Sequence, residues 1–101
     1  MANTFKNYIQ TGVTTETTVM TVPVATTTTI IGMTVANTSG ASTTVTVKVN
    51  GASLVKDGDV SPGTTMVPVG GDQKVVVQAG QIVTVTATNS VDVIISVLEQ
   101  A

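Results

Sequence analysis

In the segment TTVTVKV, residues 43–49, valine occupies every second position from Val45 onward. A strand turns successive side chains to opposite faces, so Val45, Val47 and Val49 face one way and Thr44, Thr46 and Lys48 the other. IVTVTAT repeats the pattern, with Val83, Val85 and Ala87 opposite Ile82, Thr84, Thr86 and Thr88. The chain draws this alternation from a narrow alphabet: 21 threonines and 20 valines in 101 residues. Both types are β-branched and stiff at χ1, which penalises helix and suits a pleated surface. Strands with one apolar side must bury it, as the antiparallel strands of sandwiches and small barrels do.

Turn residues punctuate the alternation. They cluster at 37–42, 56–63, 70–72, 79–80 and 89–90, and at Asn50 and Gly51, which tolerate positive φ and predict a two-residue hairpin. The spacing of about 8–12 residues between turns fits a sandwich or small barrel. The spans 5–11, 16–22, 28–37, 43–50, 64–69, 74–78, 81–88 and 91–98 read as strands, with 53–56 a short ninth segment. Ile31, Met33 and Val35 are expected to share a face. Pro23 and Pro68 interrupt apolar runs and cannot donate to a ladder, so their segments are edges or end there. The expected fold is all-β: a small antiparallel β-sandwich, jelly-roll or Ig-like, of about eight strands. Residues 1–12 are an N-terminal arm or first strand, and 13–101 form one domain. A chain of this length buries roughly 60–65% of its unfolded surface, enough for one modest core.

Composition narrows function. Net charge is −2, charged residues are 10% of the chain, and arginine is absent. Without a basic stripe or stacking aromatics, no nucleic-acid partner is expected. A surface built from Thr, Ser, Asn and Gln repels copies of itself weakly, which suits self-assembly. Cysteine and histidine are both absent, which removes disulfides, thiolate metal sites and the usual nucleophile–base pairs. No apolar run is long enough for a signal sequence or a membrane span, so no membrane partner is expected and the chain reads as made and released in a cytoplasm.

The remaining chemistry is sparse. Asp57 and Asp59 stand in KDGDVSPG, where Asp-Gly is foremost a turn pair and far short of a calcium loop. VPVGGDQKVVV, residues 67–77, carries Gly70, Gly71, Asp72 and Lys74 but lacks phosphate-loop spacing and a following helix. It reads as a glycine-permitted reversal between an edge strand and a core strand, with Asp72 bonding its own loop. Asn37, Thr38 and Ser39 match a glycosylation sequon, a frequent chance match. Catalytic residues, cofactors and metals are not expected.

Four residues stand out as candidate partner contacts. Phe5 and Tyr8 are the only aromatics, either plugging one end of the sandwich or arming the N-terminus for a neighbouring subunit. Ile94 and Leu98 lie with Asp92 and Ser96 on the face of VDVIISVLE opposite Val91, Val93, Ile95 and Val97. That second face is apolar enough to be covered or to form a contact surface.

The segments TTETTVMTVP, TTIIGMTVANTS, VTVKVNG, PVGGDQKVVVQAGQ and SVDVIISVLE together resemble a family of small virion structural proteins of tailed phages, especially marine and cyanobacterial ones. The resemblance covers nearly the whole chain, and its most specific pieces are residues 70–74 and the SVDVIISVLE ending. It implies a non-enzymatic virion component, assembled in the host cytoplasm. The expected function is a capsid decoration (cement) protein that binds the major capsid protein between capsomers, as a homo-oligomer such as a trimer. A neck, tail or tail-fibre adaptor is the alternative within that class. A secreted surface- or carbohydrate-binding β-sandwich module is the alternative outside it.

Overall fold

The computed structural model describes residues 3–70 and 73–101. Its described residues form nine strands: β1 (Asn3–Val13), β2 (Thr17–Thr21), β3 (Thr27–Asn37), β4 (Thr43–Val49), β5 (Ala52–Val60), β6 (Thr65–Val69), β7 (Val75–Val77), β8 (Ile82–Ala87) and β9 (Val91–Gln100). One antiparallel sheet runs β1-β9-β3-β6, with β7 also paired to β3; the other runs β2-β8-β4-β5.

The pairings have a simple logic. β1 pairs β9, β2 pairs β8, β3 pairs β6 and β7, and β4 pairs β5. The chain is therefore one long ribbon folded back at the β4–β5 tip and rolled into two layers, closed by β3·β9 and β4·β8. This is the strand order of a jelly roll, so the Ig-like alternative, with its different partition of strands between sheets, is not the architecture. The tip is the hairpin expected at Asn50 and Gly51, whose φ values of 48° and 88° are those of a type I′ turn. The core between the layers is mostly valine, supplemented by Met20, Ile30, Met33 and Ile95, all buried.

Bulges change which side chains enter that core. Between Ile30 and Gly32 the β3·β9 register slips, so Ile30 and Met33 are both buried although three residues apart. Ile31, expected to share the face of Met33 and Val35, is only half-buried: a bulge inserts one residue and inverts the alternation beyond it. A second bulge lies between Gln10 and Val13 on β1. There Gly12 takes φ 63°, its N–H donates to Asp92 Oδ1 at 3.0 Å, and Val13 turns inward.

A bulge on β5 overturns the reading of residues 56–63 as a turn. β5 continues through Lys56, Asp57, Gly58 and Asp59 to Val60, and the turn is confined to Pro62 and Gly63. Asp57 adopts φ 51° and its N–H donates to Thr46 Oγ1 at 3.1 Å, so the extra residue is absorbed without leaving the sheet. Gly58 leaves room there: a Cβ would lie 2.6 Å from Met66 Cε and 2.8 Å from Val55 Cγ1, so both side chains would have to shift.

The 67–77 segment differs as well. β6 and β7 are both antiparallel to β3, and both lie along it, β6 from Met33 to Ala36 and β7 from Thr28 to Ile30. They run in the same direction as one interrupted edge strand, so the segment is no reversal. Gln73 N–H donates to Gly70 O at 3.2 Å. The readings of Gly71 as a turn residue and of Asp72 as a loop acceptor lie outside the described residues. Pro68 sits in β6, on the sheet edge, as its missing donor requires.

Candidate functional site

The sandwich has two outer faces of different character. On the β2-β8-β4-β5 sheet the outward side chains include Thr44, Thr46 and Lys48 of β4, Ser53, Lys56 and Asp59 of β5, and Ile82, Thr84 and Thr86 of β8. An antiparallel sheet that meets water has this composition. Part of it is concave: Thr46, Lys48, Gly51, Ser53, Lys56 and Thr86 line an open cleft of about 360 Å³. Both aromatic side chains are on β1 of the other sheet, so the cleft has no stacking platform for a sugar ring.

The outer face of the β1-β9-β3-β6/β7 sheet carries apolar side chains among Asn, Ser, Thr and Gln. Among the described residues six large apolar side chains are exposed, and five of them belong to this sheet: Phe5 (75%), Val67 (59%), Val76 (57%), Ile9 (53%) and Ile94 (44%). Val24, the sixth, lies in the β2–β3 loop. Register assembles them into rows. Phe5 stands opposite Leu98, Leu98 opposite Thr29, and Thr29 opposite Val76. Ile9 stands opposite Ile94, and Ile94 opposite Thr34. Between the rows runs a band of small and polar residues, Asn7, Ser96 and Gly32.

Three of the four candidate contact residues therefore meet on one face: Phe5, Ile94 and Leu98. Tyr8 does not join them. It pairs with Ile95, whose side chain is in the core, and packs half-buried against the core from the inner side of β1. Its hydroxyl donates to Glu99, and Lys6, on the same side of β1, reaches Glu99 Oε1 at 3.5 Å with its ammonium 5.5 Å from the Tyr8 ring centroid. Burial, then the hydrogen bond to Glu99 and its charge, push the Tyr8 phenol up to about 12. A phenol held protonated is a hydrogen-bond donor, not a base. The cluster satisfies the carboxylate of a buried Glu99 at one end of the core. Phe5 and Tyr8 are equivalent in sequence; the alternation of β1 sends one out and one in.

Elsewhere polar residues are committed to structure. Asn37 is buried, with Nδ2 donating to Ala41 O (2.8 Å) and Val60 O (3.0 Å) and Oδ1 accepting from Ser39 N (2.9 Å). Its amide ties the β3–β4 loop to the end of β5, so the sequon nitrogen is not offered to solvent. Asp57 and Asp59 lie in β5, and among the described residues no three His, Cys, Asp or Glu side chains are grouped closely enough to hold a metal ion. Nor, among those residues, is any helix long and apolar enough to cross a membrane. Sequence reasoning missed Ile9, Val67 and Val76 as members of the outer face. The Ile9–Ile94 pairing could not be read from either strand alone.

The chain matches no protein-family model, no curated protein and no solved structure.

Proposed function

We propose that this protein is a virion structural component, a capsid decoration protein that reinforces the shell by binding between capsomers. One observation carries the reading: five of the six large apolar side chains exposed among the described residues, Phe5, Ile9, Val67, Val76 and Ile94, are gathered on one sheet of the sandwich, and exposed apolar side chains gathered on one surface mark a protein-binding site. Such a face is built to be covered by protein. The resemblance of the chain's segments to small tailed-phage virion proteins supplies the virion context. The jelly-roll order is compatible with it, although the same architecture serves lectins and enzymes and does not by itself choose. A ligand specific for the assembled shell stabilises it by mass action, which is the work of a decoration protein.

Copy number tests the reading. In purified virions carrying this chain, quantitative mass spectrometry is expected to find it in amounts comparable to the major capsid protein, and cryo-electron microscopy to place it on the shell. A few tens of copies or fewer would move it to the neck or tail. Absence from particles, together with binding of the isolated chain to a glycan array, would replace the virion reading by the surface-binding one.

A further inference from the structure

We infer that the outer face of the β1-β9-β3-β6/β7 sheet, with its Phe5–Leu98 and Ile9–Ile94 pairs, is occupied by the same face of a second copy of this chain, forming a two-fold pair. The inference rests on reading that face as a protein-binding surface; it gives the face to a second copy, so that contact with a shell falls to the remaining surface of the pair.

Area is the first argument. β1 is 11 residues long, so at about 3.4 Å per residue and about 4.8 Å per strand a four-stranded face measures roughly 37 by 19 Å, about 700 Å². Two such faces together bury about 1,400 Å², within the range of about 1,200–2,000 Å² typical of stable interfaces.

Charge is the second. From the Asn3–Gln100 pair to the Ile9–Ile94 pair, the outward positions are Asn3, Phe5, Asn7 and Ile9 on β1, Gln100, Leu98, Ser96 and Ile94 on β9, and Thr27, Thr29, Gly32 and Thr34 on β3. None is charged, so the centre of the contact buries no ion; among the described residues the charged side chains of the full face, Asp92 and the exposed Lys74 beside β7, stand toward its margins. Asp92 lies beyond these rows and accepts the Gly12 N–H.

The arrangement of the rows is the third. The two apolar rows flank the Asn7–Ser96–Gly32 band at equal distances, two residues to either side on β1 and β9. A two-fold axis along that band sets the Phe5–Leu98–Thr29–Val76 row of one copy against the Ile9–Ile94–Thr34 row of the other. Each copy then offers what the other lacks, an aromatic row against an aliphatic one, as an isologous contact requires. Edge-to-edge addition along β1 is the weaker route. Its inner side carries Lys6, and the Gly12 bulge kinks the strand, both of which discourage further pairing.

Sedimentation equilibrium of the full chain tests this. The wild-type protein is expected to be a dimer. Phe5→Lys and Ile94→Lys are each expected to weaken dimerisation about a hundredfold or more, since each change enters the interface twice. Val24→Lys, off the face, is expected to leave it intact. Circular dichroism confirms that each variant keeps its sheets, and should Ile94→Lys fail to fold, the far more exposed Phe5→Lys decides. Mixing Phe5→Lys with Ile94→Glu chains should restore a mixed pair, because one row contact stays native and the other becomes Lys against Glu. A wild-type chain that stays monomeric from micromolar to millimolar concentration, or that forms a trimer, overturns the proposal. So does a dimer indifferent to both face substitutions, and failure of the mixed pair overturns the row-against-row arrangement.

Discussion

Thr28 and Thr43 are both buried threonines in strands, and replacing each by valine should move stability in opposite directions. Thr28 lies in β3 between Glu99 of β9 and Val77 of β7, with no exposed surface, and its Oγ1 has no hydrogen-bond partner among the described residues. An unsatisfied buried hydroxyl costs about 1–3 kcal/mol in lost hydration. Valine keeps the β-branched shape and strand preference and puts a methyl group where the hydroxyl was. Thr28→Val should therefore stabilise the fold by at least about 1 kcal/mol. Thr43 is the converse. Its Oγ1 accepts the Asn89 N–H at 2.8 Å and lies 3.1 Å from Thr88 Oγ1 and 3.2 Å from Asn89 O. Thr43→Val orphans those groups and should cost about 1–3 kcal/mol. Urea unfolding followed by circular dichroism reads both, provided the m-value is unchanged. Each kcal/mol corresponds to about 4–8 °C in Tm for a domain of this size. The chain should gain stability from one Thr→Val change and lose it from the other. A loss at Thr28 of more than about 0.5 kcal/mol, outside the usual error of additive comparisons, would refute the reasoning.

Two further outcomes are expected from the same geometry. The folded chain's single tyrosine should titrate near 12 by phenolate absorbance. Because the folded value is raised above the ordinary 10.0, this group's contribution to stability is full below about pH 10 and is lost as pH rises toward 12; Tyr8→Phe should flatten that limb of the stability curve, and an unshifted tyrosine would contradict the Glu99 contact. Gly58→Ala should cost about 1–3 kcal/mol by overpacking against Met66 and Val55. Adding Met66→Ala should recover part of the loss, measured as non-additivity in a double-mutant cycle.

Much of the fold could be read from residues alone. The alternating segments fall within a few residues of the observed strands, and Val45, Val47, Val83, Val85, Val91, Val93, Ile95 and Val97 are buried as their period requires. Asn50 and Gly51 make the expected turn because only residues tolerant of positive φ close a two-residue hairpin with the right twist. Residues 56–59 misled because Asp-Gly marks a turn in isolation. The same pair can sit in a bulge when a neighbouring strand, here through Thr46 Oγ1, accepts the orphaned N–H.

The candidate site was only partly legible. Ile94 and Leu98 were visible as a second apolar side of one strand, and Phe5 and Tyr8 as outliers of size. That Phe5 belongs with Leu98 while Tyr8 belongs with Glu99 depends on the β1·β9 register. The same register recruits Ile9, and β3 carries the face on to Val76.

Local alternation and β-branched composition determined that this chain is built of antiparallel strands with one buried side, because period two and stiff χ1 angles are properties of neighbours in sequence. Tertiary structure decided that it is a jelly roll, that bulges at Gly12, Ile31 and Asp57 reset which side chains face inward, and that the exposed large apolar side chains gather on one of the two sheets. The reason is register: one residue of slip turns every following side chain to the opposite face, and register is set by strands far apart in the chain.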